Sequence, residues 1–521
     1  MSKLSRRQFH LLTAATGIAA LGWNGSAWAQ DGDVLRIALN KPADNLDPHK
    51  YIGVWSVQSM VFDPLVAYGQ GGKIEPALAE SWTESEDGKT ITFKLRQNVT
   101  FSDGTAWDAN ALKWNFDRWI TDPDNGWLSV GAFYDKLEII DPLTVALHFK
   151  QPVPPALAEL SIVRPVRFLS PASVGADGAY KEPIGTGPWV VASSDDSATV
   201  LLRNEKYWGE KPAFSRVELK VIPDSRSRVS ALMAGDLDII GGDYVARLSP
   251  QEAGTLRKRG IAVEASPGTG TFLLGYNPDR EILHDARVRE AISIAVDREI
   301  VAKALLAGYA DPAIDLFSEA VPMAGTRHPI PKRDTERAKA LLQEAGWTGD
   351  GVRAKDGVPL KLELVVSEEA APGSRALAEV LQGMLQEVGI EMSIRSVDHA
   401  TRHDDIPARK YDLAFFTTIG APYDPQGTLT NYFLSTIDSG TDGKIYLDKE
   451  GLDPLINAAM AALGEERPVA FQRVYDWLYE RHALAALIYP QRMWAYGPRV
   501  QGFVTPPTEY DMPFKGISLK S

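Results

Sequence analysis

Hydrophobic positions in the first half of this chain fall mostly at every second residue over short runs. From Thr90 to Leu95 the apolar residues Ile91, Phe93 and Leu95 alternate with polar ones, after an Asp87-Gly88 turn pair, the pattern of a half-buried strand entered from a turn. Residues 34–39 read as a short buried strand, and 137–140 and 144–149 as two strands split by Asp141-Pro142, a hairpin signal. Asp63-Pro64-Leu65-Val66 closes a helical stretch and leads back into a strand. Asp108 stands as N-cap before a helix whose apolar face is Leu112, Phe116 and Trp119. The second half changes period. A helix starts near Ala286 with Val288, Ile292 and Val296 on one face, and Asp334 caps another carrying Ala338, Leu341 and Leu342 up to Gly346. A strand over 360–366, a helix over 374–388 stopped by Gly389, and a strand over 390–397 form a βαβ unit. The near-continuous apolar run 413–418 predicts a strand buried on both faces. Mixed sheets in two lobes with a cleft between them are the expected outcome.

Composition narrows the chemistry. At 521 residues the chain has room for one or two large domains, and 24% charged with 44% hydrophobic residues is ordinary for a globular protein. It contains no cysteine, which removes disulfides, thiolate metal sites, cysteine nucleophiles and a lipidated cysteine together. Removing the three cations of the first 29 residues (Lys3, Arg6 and Arg7) from a net charge of −13 leaves −16 for the rest. So acidic a body argues against nucleic acid or an anionic membrane as partner, though a local arginine can still hold an anion in a cleft.

The first 29 residues read as an address. Ser5-Arg6-Arg7-Gln8-Phe9 is a twin-arginine pattern, an apolar run follows from Leu11 to Leu21, and Ala27-Trp28-Ala29 is a small-x-small exit before Gln30. The apolar run is shorter than the ~20 residues that span a bilayer. A mature chain starting near Gln30 in a periplasm is the expectation.

Catalytic motifs are missing. There is no G-x-x-x-x-G-K-[ST] loop, no H-E-x-x-H helix and no G-x-S-x-G elbow, so no enzyme activity, cofactor or protein-borne metal set is expected. Gly268, Gly270 and Gly275 are spaced wrongly for a dinucleotide fingerprint and read as a flexible crossing between lobes. His399 and His403 stand four apart beside Asp404 and Asp405; on a helix they could share a metal, and otherwise they belong to a polar surface turn. His49 reads as a turn residue.

Five segments in order carry a resemblance: Leu46-Asp47-Pro48-His49, Ile184-Gly185-Thr186-Gly187-Pro188-Trp189, Arg203-Asn204-Glu205-Lys206-Tyr207-Trp208, Ala231-Leu232-Met233-Ala234-Gly235-Asp236-Leu237-Asp238 and Val288-Arg289-Glu290-Ala291-Ile292. Together they resemble the extracytoplasmic solute-binding proteins, family 5, of peptide and nickel ABC transporters. That resemblance implies a two-lobed, hinged α/β fold of the periplasmic-binding-protein type (type II, cluster C) with an extra subdomain in lobe 1. Lobe 1 would comprise residues 30–268 plus 490–521, with the subdomain at about 69–183, and lobe 2 residues 269–489. The strands crossing between lobes would lie at 266–271 and 489–494.

Two further runs, Gly420-Ala421-Pro422-Tyr423-Asp424-Pro425 and Arg164-Pro165-Val166-Arg167-Phe168, look like the nickel and metallophore branch. The resemblance implies that Arg164 grips a chelator's carboxylate. Tyr423, Trp127, Tyr51 and Trp55 would line the cleft, with Ile419, Asp424 and Asn431 completing the ligand-binding set. A carboxylate suits a guanidinium's paired donors, and aromatic walls suit a flat chelate. The chain also departs from the branch. Residues 426–446 hold no histidine, Asp124 and Asn125 stand where a second cleft arginine would be, and Ile419 replaces an aromatic. Direct metal coordination is therefore not expected. The function implied is a monomeric periplasmic receptor that passes a small anionic metal chelate, nickel–histidine or an opine-like metallophore complex, to an ABC permease. A di- or oligopeptide receptor is the alternative, with Asp424 holding the peptide's amino terminus and Arg164 its carboxylate. Either way, an Arg164→Ala change is expected to weaken binding and leave folding little altered.

Overall fold

The computed structural model describes residues 33–520 apart from 51, 52, 121, 126, 372, 421, 423 and 437–442, with backbone only at 304 and 305. The export segment, Tyr51 and Tyr423 lie outside the described residues.

Local patterning carries through to the observed elements. Val34–Leu39 and Thr90–Leu95 are strands, and Asp108 accepts the Ala111 N–H at 2.9 Å to open the helix Ala109–Trp119. The strands Tyr134–Asp141 and Thr144–Phe149 pair as a hairpin. Lys361–Val366, the helix Ser374–Gln386 and Glu391–Ser396 form the βαβ unit, its strands parallel. That helix buries Leu377, Ala378, Leu381, Met384 and Leu385, the stripe a 3.6-residue repeat aims at a core. Truncating any of its buried leucines to alanine removes about 2–5 kcal/mol.

Among the described residues, a twelve-stranded sheet runs through both lobes. In the first lobe Val34–Leu39 lies between the parallel strands Arg216–Val221 and Ile239–Gly241, and the strands Ala198–Arg203 and Trp189–Ser194 extend that edge. In the second, Lys361–Val366 lies between Glu391–Ser396 and Leu413–Thr417. The strand Ala485–Tyr496 belongs to both. Its first residues pair with Phe272–Tyr276 and its last six with Ala262–Pro267. A separate four-stranded antiparallel sheet covers the helix Ala109–Trp119. Distinct cores match this layout. One surrounds Ile37, Trp189, Leu219 and Trp494, another Phe93, Phe116 and Trp119, and two in the second lobe centre on Leu364 and Leu381 and on Phe416 and Phe471.

Three local readings change. Gly275 sits inside the strand Phe272–Tyr276 rather than in the crossing: a Cβ there would lie 2.6 Å from the Phe416 ring, so the glycine makes room for an aromatic. Val296 falls just past the helix Ala286–Ala295. His399 and His403 lie exposed on the helix His399–Asp405, opened by Asp398, and not in a turn. Asp398 accepts the Thr401 N–H at 2.7 Å, which starts the helix where the loop would otherwise continue.

Candidate functional site

The shared motifs act first as rivets. Asp63 ends the stretch after the helix Trp55–Val61, and its buried carboxylate accepts from Thr186 Oγ1 at 3.0 Å, Trp208 Nε1 at 2.8 Å and Tyr207 OH at 3.4 Å. Two motif segments are thereby tied to one carboxylate, whose pKa is nonetheless raised because burial outweighs those hydrogen bonds. Gly185 and Gly187 are needed because added Cβ atoms would lie 2.0 and 2.6 Å from the Val61 carbonyl oxygen. Asp238 accepts the Arg36 N–H at 2.9 Å and Arg499 Nη1 at 3.2 Å. Arg289 is buried and donates to the carbonyls of Leu283, His284, Arg481 and His482.

Leu46-Asp47-Pro48-His49 does something more specific. Arg118 pairs with Asp47 at 2.6 Å and donates through Nη1 to His49 Nδ1 at 2.8 Å. A guanidinium can only donate, so His49 Nδ1 accepts and its Nε2–H donates to the Arg167 carbonyl at 2.9 Å. Burial, then the Arg118 charge, push the imidazole down to about 3, and it stays neutral. The turn is thus locked against the 164–168 segment, and Arg164 Nη1 donates to the carbonyl of the next residue, Lys50, at 3.2 Å.

Arg164 is buried at 3% exposure, with its guanidinium 4.0 Å over the Trp55 ring. Trp55 opens its helix half-buried and stacks on Tyr510 (4.8 Å between centroids, 28°) and, further off, on Tyr244 (6.3 Å, 5°). Tyr244 and Tyr510 stack on each other at 4.8 Å. This aromatic floor holds the cation by its ring faces, which contributes about 0.5–2 kcal/mol. The expectation that losing Arg164 leaves folding little altered therefore does not fit the structure, in which this side chain is packed rather than solvated.

The other predicted residues spread around this floor. Trp127 is 52% exposed, two residues before Ser129, whose Oγ accepts from Gln426 Nε2 of the second lobe at 3.0 Å. Asp424 caps the helix Pro425–Tyr432 by accepting the Gln426 N–H at 2.9 Å, and its second oxygen takes Arg467 Nη2 at 2.8 Å, both partners buried. Ile419 is half-buried with its N–H on Thr428 Oγ1 at 2.9 Å, and Asn431 is half-buried on the same helix. Thus Arg164 and Trp55 come into direct contact, while Asp424, Ile419 and Asn431 lie on or beside the helix Pro425–Tyr432. Below Trp127, Glu159 accepts the Ser129 and Val130 N–H groups at 3.1 and 2.8 Å. Burial pushes its carboxyl up to about 7, against the pull of those hydrogen bonds. Among the described residues no group of three or more His, Cys, Asp or Glu is placed to hold a metal ion. An open hollow is lined by Trp114, Arg118 and Val174.

Sequence reading missed Tyr244 and Tyr510. Tyr244 follows Gly241-Gly242, both with positive φ, and a Cβ on Gly242 would meet the Trp494 ring at 2.5 Å. That glycine pair was a visible signal of a tight turn beside an aromatic. Tyr510 carries no such signal.

The comparisons extend these observations. Residues 73–440 match the model of bacterial extracellular solute-binding proteins, family 5. The nickel-binding periplasmic protein of Escherichia coli strain K12 is 30% identical over 99% of both chains. The crystal structure of an ABC transporter substrate-binding protein from Sinorhizobium meliloti is 50% identical, with a TM-score of 0.85 over 94% of this chain and 100% of that one. That of NikA from Brucella suis in complex with Fe(III)-EDTA is 32% identical, with a TM-score of 0.87 over the same shares. The two-lobed fold, the motif rivets and these matches agree: the chain belongs to the bacterial extracellular solute-binding proteins, family 5, the substrate-binding components of ABC transporters, on the side of the family that includes nickel-binding proteins.

Proposed function

We propose that this protein is a monomeric periplasmic receptor whose cargo is a small anionic metal chelate, nickel–histidine or an opine-like metallophore complex, delivered to an inner-membrane permease. Residues 30–268 with 490–521 would form one lobe and 269–489 the other. The cargo's carboxylate lies against Arg164, and its flat body against the aromatic floor and Trp127. The observation that carries this reading is Arg164 itself, a buried cation held over Trp55 at 4.0 Å in a floor of three aromatic rings. The relatives whose names include nickel or a metal chelate support it. The peptide alternative is weakened by Asp424, whose two oxygens serve a helix cap and Arg467.

The test is calorimetry with nickel alone and with nickel plus histidine, on the parent and on Arg164→Ala. Nickel alone is expected to bind weakly, since the chain has no cysteine and residues 426–446 hold no histidine, so the chelator's nitrogens must supply the donors. The parent should take nickel–histidine one to one. Arg164→Ala should lose about 30-fold to several thousand-fold in affinity, because a bound carboxylate is left without its partner. It should also lose about 1–2 kcal/mol of stability with its ring stacking and Lys50 hydrogen bond. Tight binding of bare nickel, or an Arg164→Ala protein with undiminished affinity, would remove this reading.

A further inference from the structure

Arg492 lies on the strand shared by both lobes. It is 8% exposed, and its Nε has no hydrogen-bond partner among the described residues. Ser266 is its register partner on the neighbouring strand, so the two side chains share a face. The Ser266 hydroxyl is buried and equally without a partner, and so is the Tyr68 hydroxyl. Tyr68 feels the Arg492 charge and, from the second lobe, that of Asp424. Ser266 and Arg492 share one strand face and Tyr68 feels the Arg492 charge, and buried polar groups such as these usually find a partner. A guanidinium N–H and two hydroxyls can all donate, which is the donor set of an oxyanion.

Contacts run from Arg164 to Trp55 and from Trp55 to Tyr510, and Glu509 beside Tyr510 feels the Arg492 charge. We propose that Arg492, Tyr68 and Ser266 form a second oxyanion position in the cleft, so that the preferred cargo carries two separated acidic groups, one on Arg164 and one on Arg492. This rests on the carboxylate reading of Arg164 and narrows it to polycarboxylate chelates. The nearby acids do not cancel the position. Burial, then the Asp243 charge, raise the Glu509 carboxyl to about 7, so near neutrality it carries less than a full negative charge.

The test is calorimetry of the mature chain with Fe(III)–EDTA, a polycarboxylate chelate, and with nickel–histidine. The proteins are the parent, Arg164→Ala, Arg492→Gln, Arg492→Lys and Tyr68→Phe, with melts of each without ligand. Arg492→Gln should weaken Fe(III)–EDTA about 10- to 100-fold, the range for losing a hydrogen bond to a charged group. It should change nickel–histidine far less. Arg492→Lys should recover part of the loss, and Tyr68→Phe should show a smaller loss of the same selectivity. Arg492→Gln and Tyr68→Phe proteins that bind Fe(III)–EDTA as the parent does would overturn the second position. So would an Arg492→Gln protein that melts early while keeping its affinity, since the arginine would then be a structural strut. If Arg164→Ala has no effect while Arg492→Gln does, the Arg164 reading falls and the Arg492 position stands; the reverse pattern sinks only Arg492.

Discussion

Two buried titratable side chains pull stability in opposite directions with pH. The Glu159 carboxyl sits at about 7 against an ordinary 4.5 because burial disfavours its charge. Between those values the folded chain keeps a proton that the unfolded chain has released, so stability falls as pH rises through the window, by about 3 kcal/mol in all. His49 sits at about 3 against 6.5. Through that window the unfolded chain takes a proton that the folded chain refuses, so its contribution is present above 6.5 and is lost on acidification. Urea unfolding of the parent and of Glu159→Gln at about pH 5 and about pH 8 separates the two. The variant should gain stability relative to the parent at the higher pH while keeping the parent's loss on the acid side, and Glu509, also raised to about 7, should leave it a smaller loss at high pH. Identical pH profiles for parent and variant would show that Glu159 titrates normally.

At the level of elements, the crossing between lobes is made by close backbone contact rather than by flexible glycine. The Gly268 N–H donates to the Pro490 carbonyl at 3.2 Å, and a Cβ on Gly268 would lie 2.2 Å from that same oxygen. Ser318 of the second lobe donates its hydroxyl to the Gly268 carbonyl at 3.0 Å. A methyl group here has backbone to push against, not a side-chain tip, so Gly268→Ala should cost about 1–3 kcal/mol by overpacking and shift the hinge it distorts. A thermal melt checks the first effect and small-angle scattering with and without ligand the second. An unchanged melting temperature would mean that the strands part easily, and the crossing would then be the loose joint first read from its glycines.

For the whole molecule, sequence predicts a location outside the cytoplasm before any fold is known. We expect export through the twin-arginine route, with the mature chain starting near Gln30, because Arg6 and Arg7 precede a short apolar run and the Ala27-Trp28-Ala29 exit. Replacing Arg6 and Arg7 with lysine should leave the precursor in the cytoplasm, seen by fractionation and N-terminal sequencing. Normal periplasmic yield from that double variant would rule the route out. The lobes touch at several points: Gln426 on Ser129 at 3.0 Å, and Pro322 so close to Gly72 that a Cβ there would lie 2.0 Å from its ring. The first of these contacts lies beside Asp424, whose charge reaches Tyr68.

What sequence determined by itself was local. Alternation over 90–95, the 3.6-residue stripe from Leu377 to Leu385 and the Asp108 and Asp334 caps all arise within one or two turns of chain, where side-chain period and neighbouring backbone donors decide the element. Arg164 and Trp55 were legible through a resemblance, because the segments around them recur. Tertiary structure alone decided what those residues touch. Trp55, Tyr244 and Tyr510 meet from positions hundreds of residues apart, and Asp424 and Arg467 find each other across two helices. Arg492 and Tyr68 come together only because one strand runs through both lobes. No local period encodes such meetings. They follow from which faces the sheets leave toward the cleft, and that is settled only when the cores on either side have closed.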